Sequence, residues 1–150
     1  MFFSSPADAL SGIENQTVQL IVTSPPFLDI VQYADDNWLR AWFAGIDMDE
    51  VAGKITMART LEQWSSTMFS VLLELKRVLK VNGYIAFEVG EIRKGKLSLE
   101  HEIIRLGQRA GLKIEKVLIN TQEFTKTANI WGIGNNVGGT NTNRIVVLKK

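Results

Sequence analysis

The sequence contains no cysteine and only one histidine among its 150 residues. It therefore has no disulfide bond or thiolate metal ligand, and a histidine-based metal cluster or a Ser-His-Asp triad is not expected. No apolar run approaches the ~18 residues that a membrane span requires, so we expect a cytoplasmic protein without a membrane partner. The apolar fraction of 45% and the charged fraction of 22% suit a single globular domain over residues 1–150.

The two parts of the chain differ in charge, although the formal net charge is only +1. Residues 1–60 have eight acidic and three basic side chains, a net charge of −5, whereas residues 61–150 have 14 basic and eight acidic ones, a net charge of +6. If the partner is a nucleic acid, we expect the later part to bind most of its phosphates. A mixed, solvated surface is the alternative that charge alone leaves open.

Hydrophobic periodicity predicts an alternation of strands and helices. Short runs rich in β-branched residues predict strands at 18–23, 84–89, 113–120 and 144–148, and helical spacing predicts helices at 35–44, 61–80 and 98–110. Thr60 and Gln63 match a capping box, and Asn82-Gly83 is a candidate left-handed stop after the long helix. Trp38, Trp42 and Phe43 follow helical spacing, and we expect them in the core.

This order predicts an α/β fold with a mostly parallel sheet, a C-terminal antiparallel strand pair and helices on both faces. Ligands of such sheets bind beyond the carboxyl ends of the strands. The segments Thr23–Phe27 and Gly90–Arg93, together with the loop that begins at Asn120, should open at that edge.

The tetrapeptide Ser24-Pro25-Pro26-Phe27 follows the first predicted strand and has the groups needed to activate an exocyclic base amine. Such an amine is a poor nucleophile, and it improves when its two hydrogens are held by a side-chain oxygen and a rigid backbone carbonyl. Ser24 and Pro25 provide these acceptors, proline rings restrict the backbone, and Phe27 provides a ring for a flipped base to stack on. The alternative is a strand terminator whose aromatic ring fills a hole.

Several segments, taken in order, resemble the S-adenosylmethionine-dependent DNA amino-methyltransferases. Val18–Phe27 resembles their motif IV, in which Asp, Asn or Ser precedes Pro-Pro and an aromatic residue. The similarity covers nearly the whole chain and extends to the segments Asp8–Leu10, Leu28–Tyr33, Asp36–Phe43, Leu75–Tyr84 and Asn143–Lys150.

This resemblance implies a partial Rossmann-like methyltransferase fold and transfer of a methyl group from S-adenosylmethionine to an amino group of DNA, cytosine N4 or adenine N6. It implies that Ser24 and Pro25 bind the target amine and border the methyl group of the cofactor. Pro26 belongs to the same catalytic motif, and Phe27 would stack on the base. Serine at the first position leans towards cytosine.

Other residues near the expected edge are candidates for substrate binding. Side chains just beyond the motif could line the base pocket, and a basic loop after the second strand could contact phosphate. Ordinary surface positions are the alternative for each of them. The candidates are Asp29, Tyr33, Asn37, Arg93 and Lys94.

The sequence departs from the family in one respect, because no glycine-rich cofactor loop is present between a strand and a helix. We therefore expect this chain to be the second half of a methyltransferase fold that binds S-adenosylmethionine weakly or not at all by itself. Val18–Thr23 would then be an exposed apolar edge, which predicts a homo-oligomer or pairing with a missing cofactor-binding half. Two other functions remain open: a non-catalytic nucleic-acid-binding partner subunit or relic, and methylation of RNA.

Overall fold

The computed structural model describes residues 3, 5–26, 28, 33–52, 58–92, 97–121 and 142–150. The strands are β1 (Val18–Thr23), β2 (Leu79–Ile92), β3 (Leu97–Ser98), β4 (Lys113–Thr121) and β5 (Thr142–Lys149). The helices are α1 (Tyr33–Phe43), α2 (Met48–Ala52), α3 (Leu61–Val78) and α4 (Leu99–Arg109). The predicted α/β alternation is confirmed, with each of the four expected strands in place.

The sheet is mixed, and its main strand order is β1-β2-β5-β4. β1 and β2 run parallel, whereas β5 is antiparallel to both β2 and β4. The short strand β3 pairs with the end of β2. The antiparallel pair β4–β5 was expected, and so was the position of β1 at the edge of the sheet.

The core lies between one face of the sheet and the helices α3 and α4. The predicted apolar stripe of α3 is buried, because its side chains are spaced to point towards the sheet. Alternate side chains of β2 and β5 pack against that stripe, because successive side chains of a strand point to opposite faces of the sheet. The central side chains of this core are Trp64, Leu72, Ile85, Phe87, Val89, Ile103, Leu106, Val146 and Leu148.

The opposite face of the sheet is much more open at its β1 side. Leu20 and Val22 are 57% and 75% exposed, and Tyr84, which pairs with Leu20, is also exposed. Within the described ranges, β1 therefore has an unpaired backbone edge and exposed apolar side chains.

The expectation that the aromatic residues of α1 lie in the core is wrong. Trp38, Trp42 and Phe43 are 61%, 72% and 87% exposed, whereas the small residue Ala41 is buried. Helical spacing identifies residues that share a face, but it does not say which face packs against the protein. Here α1 turns a small residue inward and its large apolar side chains outward.

The end of α3 also differs from the prediction. α3 ends at Val78, and β2 begins at the next residue without a loop. Asn82 has the expected left-handed backbone, with φ of 62°, but it lies within β2, close to where the pairing with β1 shifts register. The last carbonyls of α3 are satisfied differently. Lys150 Nζ donates to the oxygen of Lys76, and the backbone N–H groups of Gln16 and Thr17 donate to the oxygens of Arg77 and Val78.

The segment before β1 is held against α3 by hydrogen bonds, several of them to an ion pair within α3. Arg77 forms a two-pronged contact with Glu74, with nitrogen–oxygen distances of 2.8 Å. Glu74 also accepts from the backbone N–H of Leu10, and Arg77 donates to the carbonyls of Leu10 and Ile13. The hydrogen bond from Arg77 is the main reason that the pKa of Glu74 is lowered.

Candidate active site

The Ser-Pro-Pro motif lies at the carboxyl end of β1, where the sequence placed it. Ser24 is exposed, and Pro25 and Pro26 are half-buried. Because Thr23 pairs with Phe87 in parallel register, the motif continues towards the carboxyl end of β2. The motif therefore lies at the edge formed by the carboxyl ends of β1 and β2, where such sheets bind ligands.

One hydrogen bond links the motif to the core. The indole Nε1 of Trp64 donates to the carbonyl oxygen of Pro26 over 2.9 Å. Trp64 is 1% exposed, and so is Leu28, which follows the motif in the sequence. The start of α3 is itself well defined, because the Thr60 hydroxyl accepts from the backbone N–H of Gln63. Pro26 is therefore tied to a rigid part of the molecule.

An open cavity of about 570 Å³ lies beside Pro26, and its walls are mostly apolar. Asn37, which the sequence proposed for the base pocket, lines the same cavity as Pro26. The Asn37 side-chain oxygen accepts from Arg40 over 2.8 Å, which orients the amide. Besides Pro26, the lining residues are Asn37, Arg40, Ala41, Ala44, Ile46, Met48 and Val51.

A second polar group lies near the same edge, where β2, β5 and α4 meet. Glu88 of β2 accepts a hydrogen bond from the side-chain amide of Asn143 in β5. The next residue, Arg144, forms an ion pair of 2.7 Å with Glu100 in the first turn of α4. Both contacts fasten the start of β5. Ser98, the expected cap of α4, makes no side-chain capping bond.

The outer groove between α3 and α4 encloses about 540 Å³ and contains a separate polar network. Glu102 accepts from Ser65 and from Arg105, and the hydrogen bond from Arg105 chiefly lowers the pKa of Glu102. Arg109 lies 4.5 Å from the centre of the Phe69 ring. With these acids and bases engaged with one another, Glu102 stays ionised and is poorly suited to deliver a proton.

The predicted site residues can be placed only in part. Ser24, Pro25, Pro26 and Asn37 are described, and Pro26 and Asn37 meet at one cavity. Tyr33 begins α1, but its side chain lies outside the described structure. The other predictions, Phe27, Asp29, Arg93 and Lys94, lie outside the described residues.

Sequence reasoning missed the contact made by Trp64. Its spacing correctly predicted a buried position, but it gave no acceptor for the indole N–H. A buried tryptophan usually finds a hydrogen-bond partner for that group, so the residue type was a usable signal. Glu100 was also missed, because a glutamate in the first turn of a helix is common on surfaces.

The described ranges contain neither a candidate metal site nor a membrane-spanning helix. No group of three or more His, Asp or Glu side chains there could hold a metal ion. No helix in that part of the chain is long and apolar enough to cross a membrane.

Comparison with known proteins gives similarity at the level of structure. No protein-family model matches the chain, and no curated protein matches its sequence. A Thermus thermophilus protein, provisionally assigned as a DNA modification methylase, superposes with a TM-score of 0.57 at 18% identity. The match covers 96% of this chain and 49% of that one, and the same protein has been solved in complex with S-adenosyl-L-methionine.

Two further structures are similar. The cytosine-N4-specific PvuII DNA methyltransferase matches with a TM-score of 0.58 and 12% identity, over 95% of this chain and 46% of its own. An S-adenosylmethionine-dependent methyltransferase of Methanosarcina mazei matches with a TM-score of 0.53 and 12% identity, over 97% and 65%. The chain thus spans about half the length of the first two structures. Over that length it has the fold of S-adenosylmethionine-dependent methyltransferases.

Proposed function

We propose that this chain forms the target-base side of a DNA amino-methyltransferase that modifies cytosine N4 or adenine N6. The observation that supports it most is the position of Ser24, Pro25 and Pro26 at the carboxyl end of β1, within a fold shared with methyltransferases. The motif has the acceptors that the chemistry needs, and it lies at the edge where the fold binds ligands.

In this proposal the residues act mainly by positioning. Ser24 Oγ and the Pro25 carbonyl accept the two amine hydrogens, so that the nitrogen lone pair points towards the incoming methyl group. Phe27 stacks on the flipped base. S-adenosylmethionine, when bound, would supply an electrophilic methyl group, and Ser24 Oγ and the Pro25 carbonyl would hold the amine nitrogen in place to accept that group and release a proton.

The cavity beside Pro26 is the proposed entrance for the target base. Its apolar walls favour a flat ring, and Asn37 and Arg40 offer polar groups at its rim. Tyr33 and Asp29 would extend this pocket beyond the motif. Arg93 and Lys94 would contact phosphates of the nucleic acid.

The described residues fit only one side of an S-adenosylmethionine site. The exposed Ser24 and the half-buried Pro25 can border the methyl group, but the sequence has no glycine-rich turn between a strand and a helix that would cradle the rest of the cofactor. We therefore expect a cofactor-binding half, on this polypeptide or on a second one, to complete the sheet beside β1. In its absence, a second copy of the chain would pair there and form a homo-oligomer.

Methyl transfer by the chain together with its cofactor-binding half tests the proposal. Labelled S-adenosylmethionine is supplied with DNA, and digested nucleosides are analysed by mass spectrometry for N4-methylcytosine and N6-methyladenine. Ser24→Ala should reduce transfer by roughly 100-fold or more without changing the circular dichroism spectrum. Full activity of Ser24→Ala would contradict the assignment, and methylation of RNA alone would replace DNA as the substrate.

A further inference from the structure

Trp64 donates a hydrogen bond to Pro26, and among Ser24, Pro25 and Pro26 it is Pro26 whose ψ the proline rings leave free to rotate. Proline fixes φ at Pro25 and at Pro26. A following proline restricts ψ, which applies to Ser24 and to Pro25 but not to Pro26. The torsion ψ of Pro26 is therefore set by something outside the motif, and it determines the direction in which the chain continues.

The indole N–H of Trp64 supplies this constraint. It donates to the Pro26 carbonyl over 2.9 Å, and rotation about ψ of Pro26 would swing that carbonyl away. The donor cannot follow easily, because Trp64 is 1% exposed and packed within the core of α3 and β2. A hydrogen bond with a fixed donor and a half-buried acceptor holds one orientation of the peptide that follows Pro26.

We infer that Trp64 is a positioning residue for the Ser24–Phe27 motif. By engaging the Pro26 carbonyl it sets ψ of Pro26, and it also prevents that carbonyl from competing with its neighbour at Pro25 for the target amine. In the described part of the chain, no hydrogen bond involves the Ser24 hydroxyl, so the first acceptor stays available. This inference rests on the proposed function, but its structural half can be tested without any turnover.

The structural test uses nuclear magnetic resonance on the protein. A spectrum that correlates the Phe27 amide with the preceding carbonyl reports the carbon-13 shift of Pro26 directly. Trp64→Phe removes the donor, and a benzothiophene analogue at position 64 removes it while preserving the bicyclic shape. Both should move the Pro26 carbonyl resonance to lower frequency and broaden the Phe27 amide. An unchanged Pro26 resonance in both variants would overturn the inference.

Trp42→Phe is the matched control, because Trp42 is 72% exposed on α1 and lies outside the core. The same ring exchange there should leave the Pro26 resonance in place. The Trp64→Phe and Trp42→Phe variants should both unfold cooperatively. If Trp64→Phe folds poorly, the benzothiophene variant still tests the loss of the donor. A Pro26 shift of equal size in the control would contradict a specific role for Trp64.

The catalytic test compares kinetic constants of the same variants in the presence of the cofactor-binding half. Loss of positioning should lower kcat by roughly 10- to 100-fold, with KM for DNA and for S-adenosylmethionine nearly unchanged. An altered Pro26 resonance with wild-type kcat would refute Trp64 as a positioning residue. If the wild type itself transfers no methyl group, the proposed function fails, and the resonance data alone decide whether Trp64 sets the motif.

Discussion

Arg144 Nε lies 2.7 Å from Glu100 Oε1, and the two side chains are only 15% and 8% exposed. This ion pair joins the start of β5 to the first turn of α4. The second carboxylate oxygen of Glu100 is buried and has no hydrogen-bond partner among the residues that the structure describes. Burial of charge makes the pair strongly interdependent, because neither group can be left alone without a large desolvation cost.

Arg144→Met should therefore destabilise the fold by about 3–5 kcal/mol, since it leaves a buried carboxylate without its cation. The double variant Glu100→Met with Arg144→Met should recover most of that loss, because both charges are then removed. Chemical denaturation of the wild type, both single variants and the double variant measures the coupling. Additive effects of the two single substitutions would show that the pair is not coupled.

Glu74 should make the fold sensitive to acid. Its pKa is lowered in the folded protein, chiefly by the hydrogen bond from Arg77, so its stabilising effect is complete above the ordinary glutamate pKa of about 4.3. That effect is lost as the pH falls through the lowered folded pKa. The difference in unfolding free energy between the wild type and Glu74→Gln should thus be constant near neutral pH and shrink below about pH 4. A difference that grows on acidification would contradict this sign.

Gly107→Ala should destabilise the contact between α4 and β5. A Cβ atom at Gly107 would lie 2.2 Å from Leu148 Cδ2, and Leu148 is fully buried. Overpacking of this kind costs about 1–3 kcal/mol, which exceeds the gain of up to about 1 kcal/mol from the better helix propensity of alanine. Thermal unfolding measures the change. The control Gln108→Ala is on the exposed side of the same helix and should have little effect.

The exposed side chains of β1 should control self-association. Val22→Lys places a charge on the apolar edge strand, which is a common way in which proteins block strand pairing. It should shift the isolated chain towards the monomer in light scattering at high concentration. Leu73→Lys is the control, since Leu73 is 46% exposed but lies on α3. A wild-type chain that is already monomeric would contradict the expected oligomer.

The sequence predicted the features of this fold that depend on local pattern. The strand Val18–Thr23 and the stripe containing Trp64 follow from apolar spacing, and both were found where expected. It could not predict features that depend on packing between distant segments. The outward direction of Trp42 is one example, because α1 presents Ala41 to the protein instead.

In the candidate site too, one feature could be predicted from local sequence and another could not. A proline pair after an apolar strand indicates that strand pairing stops there, so the place of the motif at the end of β1 could be predicted from Pro25 and Pro26. The partner of Pro26 could not, because Trp64 is 38 residues away in sequence and meets it only when α3 packs on the sheet.

The strand order has a consequence for the path by which this chain folds. β5 follows β4 in the sequence, yet it lies between β2 and β4 and pairs with both. Until Thr142–Lys149 inserts, each of those strands has an open backbone edge on that side. Pairing between strands that are far apart in sequence, such as β2 and β5, is slow. Open strand edges can meanwhile pair with other chains. During synthesis, therefore, the sheet should be most prone to aggregation after β4 has been made and before β5 pairs between β2 and β4.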